Sequence, residues 1–197
     1  MQKIYFITGN ENKFREAKGI LPDLEQLDLD LPEIQEIDPK EIIRAKIKEA
    51  KRHHQGMFIV EDVSFYLDCL KGENGGLPGP LIKWFLKTVG TEGIFDIANR
   101  AENSNARAVA LLGLFEQDDD IHFFEGEIVG KVVSPRGDNI FGFDPIFVPN
   151  GYDKTFGEMT KEEKNKISHR KLALEKLKNH LKTNKPSFSG DDHSFIV

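Results

Sequence analysis

Short apolar runs, separated by glycine, proline and asparagine, change period along the chain between the two of a strand and the 3.6 of a helix. Residues 3–8 read as a strand around Ile4-Tyr5-Phe6-Ile7. Residues 11–21 read as a helix with Phe14, Ala17, Ile20 and Leu21 on one side, stopped by Pro22. Leu27, Leu29 and Leu31 alternate through a strand-like run over 26–31. Asp38-Pro39 offers an N-cap and a proline at the first helical position, and Ile42, Ile43, Ile47 and Ala50 give the following helix an apolar face as far as Gly56. A short buried strand is predicted over 57–60, ending in Glu61-Asp62. Gly75-Gly76-Leu77-Pro78-Gly79-Pro80 predicts a rigid turn whose last proline starts a helix carrying Leu81, Ile82, Trp84, Phe85 and Leu86. Residues 107–115 and 122–133 read as long strands paired antiparallel across the acidic turn Asp118-Asp119-Asp120. Phe141-Gly142-Phe143-Asp144-Pro145 leads into the strand Ile146-Phe147-Val148. Leu174, Leu177 and Leu181 mark a C-terminal amphipathic helix, and residues 183–197, rich in Ser, Asp and Lys, are expected to form a loosely ordered tail.

These alternations predict an α/β fold with helices flanking a sheet, and the long hairpin can build a second lobe. With 197 residues and 39% hydrophobic content the chain can bury a full core without disulfide or metal staples. Its one cysteine, Cys69, allows no internal disulfide and fits a reducing compartment. No apolar run approaches the roughly 20 residues of a membrane span, so a cytoplasmic protein is expected. The net charge of −6 argues against sequence-independent binding to nucleic acid, which needs many neutralised phosphates. Any polyanionic ligand is therefore expected to be small. Lys13, Lys46, Lys83, Lys164, His169 and Arg170 stand beside recognisable motifs and can form a local positive pocket.

Thr8-Gly9-Asn10-Glu11-Asn12-Lys13 has the layout of an anion site. Glycine lets a strand turn sharply into a helix whose first amides and dipole face a guest, and phosphate is the obvious one. Lys13 adds a point charge, and Thr8 and Asn10 add neutral hydrogen bonds. Gly9 and Lys13 stand too close together for a Walker A loop, and no Ser or Thr follows the lysine.

Glu33, Glu61, Asp62 and Asp68 lie near breaks or ends of apolar runs, where a strand hands a side chain to a cleft. Mg²⁺ takes hard oxygen ligands, one or two carboxylates with substrate phosphates, and Glu33 with Asp62 would suffice. For each carboxylate alone a solvated turn is an equal reading, except Asp62, which follows four apolar strand residues. Residues 163–170 hold the densest set of donors. On one straight helix Lys164 and Arg170 would be rotated by about 240° and could not share a ligand. A new helix capped by Ser168 would bring them together, while Thr160-Lys161-Glu162-Glu163 offers a competing capping box further upstream. Phe141 and Phe143 can stack on a planar base, with Asp144 accepting from its edge, or can be core aromatics at a strand entrance.

In their order, Thr8-Gly9-Asn10 with Lys13, Val60-Glu61-Asp62, Gly75-Gly76-Leu77-Pro78-Gly79-Pro80, Phe141-Gly142-Phe143-Asp144-Pro145 and Glu163-Lys164-Asn165 with Ser168-His169-Arg170 resemble the inosine triphosphate pyrophosphatase family. The resemblance runs from about residue 3 to 181. It implies an elongated mixed β-sheet with two lobes, here one domain over 1–182, with a nucleotide cleft between them, and a homodimer. It also implies Mg²⁺-dependent cleavage of ITP, dITP and XTP to the monophosphate and pyrophosphate, which would cleanse the nucleotide pool. Carried over by position, Thr8, Gly9, Asn10, Lys13, Lys46 and Lys83 would surround the triphosphate. Glu33 and Asp62 would serve the metal, and Asp62 would activate water. Phe141, Gly142, Phe143 and Asp144, with Lys164, His169 and Arg170, would hold the base and its surroundings.

Three departures stand out. Val63 replaces the hydroxyl residue usual after the aspartate at a position facing the substrate; Lys71-Gly72-Glu73-Asn74 adds length before the Gly-Pro turn; and the tail has no counterpart. Two other readings remain open at this point: a pyrophosphatase for modified pyrimidine triphosphates, and a nucleotide-binding protein without turnover.

Overall fold

The computed structural model describes residues 3–72, 75–116 and 120–183. Strands β1 (Ile4–Ile7), β2 (Leu24–Leu27), β3 (Phe58–Leu67), β4 (Pro78–Gly79), β5 (Asn105–Phe115), β6 (Ile121–Val132) and β7 (Phe147–Pro149) form one mixed sheet. Its order is β2-β1-β3-β5-β6-β7, with β4 beside β3. The helices are α1 (Glu11–Ile20), α2 (Pro39–His53), α3 (Ile82–Thr88), α4 (Gly90–Arg100), α5 (Lys161–Asn165) and α6 (His169–Thr183).

β3 decides where the cleft lies. One of its edges is paired with β5 from Phe58 to Leu67. The other edge meets β1 only at Phe58 and Ile59, and β4 only at Phe65 and Tyr66. Residues 60–64 therefore have an open edge between two short neighbours, and Glu61 and Asp62 sit in that gap. This corrects the expectation that the strand ends at Glu61-Asp62. The alternation resumes through Val63, Phe65 and Leu67, so the two carboxylates interrupt a ten-residue strand in its middle.

Two other boundaries differ from expectation. β2 begins at Leu24, in parallel register with Ile4, and has no β1 partner left after Leu27. Leu29 and Leu31 pack without being in a strand. Pro80 does not start a helix: Pro78-Gly79 pairs with β3 first, and α3 begins at Ile82. The hairpin β5–β6 forms as expected, from Phe115↔Ile121 to Asn105↔Lys131. Its turn residues Asp118 and Asp119, the pair Glu73-Asn74 and residues 184–197 lie outside the described residues.

The first lobe is covered on both sheet faces. α2 packs Ile43, Ile47 and Ala50 on Phe58, Val60, Leu111 and Phe115. On the other face Ala17 of α1 and Ala173, Leu174 and Leu177 of α6 cover Phe6, Ile59, Leu112 and Leu114. The second lobe uses the far ends of the same long strands, where Phe65, Leu67, Ala106 and Val132 pack with Ile82, Ile94, Phe147 and Phe156. Gly126 of β6 lets α6 begin directly on the sheet, because a Cβ there would lie 2.0 Å from the His169 carbonyl oxygen. No helix among the described residues is long and apolar enough to cross a membrane.

Candidate active site

The open edge of β3 is the floor of a cleft of about 740 Å³ between the lobes. Successive strand residues point to opposite faces, so Glu61 turns toward α1 and α6 while Asp62 turns toward α2. The surroundings follow. Glu61 receives the Arg170 guanidinium from α6 and Lys13 Nζ from α1, the latter at 3.2 Å. Asp62 Oδ1 receives Lys46 Nζ from α2 at 3.1 Å, and the same ammonium donates to the Glu61 carbonyl oxygen at 2.9 Å. Lys46 thereby satisfies a backbone acceptor that the missing strand neighbour leaves open.

The second oxygen of Asp62, Oδ2, is buried and has no hydrogen-bond partner. Burial raises the Asp62 pKa above the ordinary aspartate value, and the attraction of Lys46 offsets it only in part. Glu61 is as deeply buried, yet its carboxyl is held far below the usual range: Arg170 and Lys13 together outweigh the desolvation. Adjacent carboxylates are thus tuned in opposite directions, one as a permanent charge and one as a basic, partly unsatisfied oxygen.

At the β1–α1 turn, Asn10 caps the helix, its side-chain oxygen accepting from the amides of Asn12 and Lys13 at 3.0 and 3.2 Å. The Asn10 amide in turn donates to Thr8 Oγ1 at 3.1 Å. Two amides expected to face an anion are occupied by this cap. Asn10 and Lys13 line the cleft, whereas Thr8 and Gly9 are not among its lining residues. Opposite them Lys83 of α3 pairs with Glu33 at the mouth, both more than half exposed as side chains. Burial pushes the Glu33 carboxyl up, but its hydrogen bond to Lys83 and the charges of Lys46, Lys83 and Lys13 bring it below the ordinary value.

Residues 160–170 adopt both of the competing starts. Thr160 and Glu163 form a capping box for α5, and Ser168 Oγ accepts from the Lys171 amide at the start of α6. The break between them lets Lys164 reach Asp144 at 2.5 Å while Arg170 turns to Glu61. Asp144 is buried and also accepts from Asn139 at 2.9 Å. Burial raises its pKa, against the pull of Lys164. Phe143 lies stacked on Phe65 at 4.4 Å and belongs to the core, while Phe141 is half exposed on the rim, with Gly142 between them at φ +59°. His169 is enclosed between Phe143 and Phe156, its Nδ1 without a partner, and burial holds its pKa well below 6.5.

Lys46, Asp62, Val63, Lys83, Phe141, Asp144, Lys164, His169 and Arg170 all line the same cleft with Asn10, Lys13 and Glu33. The sequence reading named Glu61 only as one of four candidate carboxylates, without its partners, and did not single out Glu16, which accepts from Arg170 Nη1 and Ser168 Oγ, both at 2.6 Å. Glu16 lies 154 positions from Arg170 and carries no local signal of that contact. The exposed apolar rim of Ile34, Trp84 and Ile140 was also not foreseen.

The comparisons with known proteins make the chain a nucleoside triphosphate pyrophosphatase. The chain belongs to the Ham1 family, whose model matches residues 4–180. It is 41% identical over 189 residues to the inosine triphosphate pyrophosphatase of Schizosaccharomyces pombe, a match covering 94% of this chain and 98% of that protein. A HAM1 protein from Coxiella burnetii superposes with a TM-score of 0.79 at 25% identity, over 93% of this chain and 100% of the other. The nucleoside-triphosphatase or dITP/XTP pyrophosphatase of Mycobacterium abscessus gives 0.67 at 26% identity, over 88% and 97%. The Staphylococcus aureus Ham1 protein shares the fold at a TM-score of 0.76 and 24% identity, over 92% and 99%.

Proposed function

We propose that this protein hydrolyses non-standard purine nucleoside triphosphates, ITP, dITP and XTP, to the monophosphate and pyrophosphate in a Mg²⁺-dependent reaction. The observation that carries the reading is Asp62 Oδ2, a buried carboxylate oxygen without a partner on the floor of a lysine-lined cleft. An orphaned hard oxygen suits Mg²⁺, and Glu33, at the mouth of the same cleft, is a second carboxylate for it. When bound, the ion supplies charge neutralisation to the phosphates.

The residues of the chain supply the remainder. Lys13, Lys46 and Lys83 neutralise the triphosphate and hold it in line. A water molecule beside Asp62 gives its proton to the Asp62 carboxylate as its oxygen bonds to the α-phosphorus, and the bond from the α-phosphorus to the bridging oxygen breaks, so that pyrophosphate leaves with that oxygen. Asp144 is already committed to Lys164 and Asn139, so the remaining N–H donors of Lys164 are available for a 6-oxo group. Adenine offers an amino group there and would leave donors unpaired, which costs affinity steeply.

The proposal extends to one two-lobed domain over residues 1–182, a homodimer, and a cytoplasmic setting, the last supported by a single cysteine. The test is pyrophosphate release from ITP, dITP, XTP, GTP and ATP, with Mg²⁺ and with chelator. Metal-dependent release from the inosine and xanthosine nucleotides is expected. Silence on all five from folded protein would overturn the reading and favour a pyrimidine substrate or binding without turnover.

A further inference from the structure

Away from the cleft, Glu116, His122 and His180 bring three ligand atoms within 4.8 Å of one another. Three separate elements create this meeting. Leu114 of β5 stands opposite His122 of β6, so their side chains share one face of the hairpin, and Glu116 follows directly on Phe115, the last residue of β5. That face is the one α6 covers with Ala173, Leu174 and Leu177, and His180 follows Leu177 by one helical turn. His122 Nε2 lies 3.5 Å from Glu116 Oε2, and the rings of His122 and His180 lie 4.6 Å apart, tilted by 45°. Phe124 closes one side at 5.2 Å from the His180 ring.

We propose that these three residues form a second metal site, a two-histidine, one-carboxylate site for a zinc-type transition ion, separate from the Mg²⁺ proposed for the cleft. Ligands of four-coordinate zinc lie about 2.0–2.2 Å from the ion and so roughly 3.3–3.5 Å from one another, which the His122–Glu116 pair already matches. Small rotations of partly exposed side chains bring in the third, and water takes the fourth position. Two imidazoles and one carboxylate suit zinc and its neighbours in the transition series and are a poor set for Mg²⁺, which prefers oxygen alone. His180 is eleven residues beyond His169, about 16 Å along α6, so the ion takes no part in the chemistry of the cleft. It fastens the last turns of α6 to the β5–β6 hairpin.

The test is Zn²⁺ titration of the full chain, purified without a histidine tag, by calorimetry in the presence of Mg²⁺. One zinc per chain is expected, with affinity lowered at least tenfold in His122→Gln and in His180→Gln and unchanged in His53→Gln, which alters the His53–Glu49 pair on α2. In the unsubstituted chain, zinc should shift the ring resonances of two of the six histidines, so the answer does not depend on any variant folding. Unaltered uptake in the His122 and His180 variants would overturn the site. So would uptake lost with His53→Gln, or histidine resonances unmoved by zinc.

Discussion

Arg170 and Glu61, 109 positions apart in the chain, meet as a two-pronged pair beneath the cleft, with Nε to Oε2 at 2.7 Å and Nη2 to Oε1 at 2.9 Å. Arg170 also donates through Nη1 to Glu16, so its guanidinium ties α6 to β3 and α1 at once. This makes it a positioning residue for Glu61 and Lys13. Arg170→Ala leaves Glu61 with Lys13 alone and Glu16 with only the Ser168 hydroxyl, and a loss of about 3–5 kcal/mol is expected in urea unfolding. Arg170→Lys keeps the charge but cannot make the two-pronged bond, so an intermediate loss is expected. Full stability in the alanine variant would remove the pair from the framework of the site.

Asp62→Asn keeps an oxygen for Lys46 and removes the basic one. Pyrophosphate release should fall by about 10²–10⁴-fold while nucleotide binding, measured by calorimetry, persists. Lys46→Gln tests the same carboxylate from the other side. Lys46 holds the Asp62 pKa down against burial, so removing its charge raises that pKa further. The acid limb of the rate profile should therefore move to higher pH. An unmoved limb would separate Asp62 ionisation from turnover.

His169 and Glu61 give stability two acid-sensitive windows. The folded pKa of His169 lies well below 6.5, so between about pH 7 and 5 the unfolded chain takes up a proton that the folded chain refuses. Stability falls as pH falls through that window. Glu61 is shifted down from 4.5, so its contribution is complete above that value and is lost at lower pH. His169→Gln should flatten the first window only, which urea midpoints at pH 7.5 and 5.5 would show. An unchanged slope would place the acid sensitivity elsewhere.

The parts of the fold and site visible in the sequence were those written locally. Asp38, Thr160 and Ser168 signal their caps within three or four residues, and all three caps are present, whereas Asn10, read as a donor to an anion, turns its side-chain oxygen to capping α1. The β5–β6 hairpin was legible from two apolar runs around an acidic turn. The central strand was misjudged at Glu61-Asp62 because two adjacent carboxylates look like a strand end. Only the pairing of β1 and β4 on the same edge shows why charges can stand in mid-strand. The Glu16–Arg170–Glu61 link joins three distant segments and depends on helix placement that no local pattern encodes.

That placement depends on Gly126. A Cβ on this residue would lie 2.0 Å from the His169 carbonyl oxygen and 2.5 Å from the Ala173 amide nitrogen, and both are backbone atoms of α6. Backbone cannot rotate away as a side chain can, so Gly126→Ala must push the first turns of α6 off β6. A loss of about 1–3 kcal/mol is expected from overpacking alone. Turnover should fall as well, because the displaced turns carry His169 and Arg170 and, through Arg170, set Glu61. Gly142→Ala is the comparison: its φ is positive but nothing lies within 4 Å of the added methyl, so only local strain near Phe141 is expected. If both variants lost stability equally while Gly126→Ala kept full turnover, the seating of α6 on β6 would not govern the cleft.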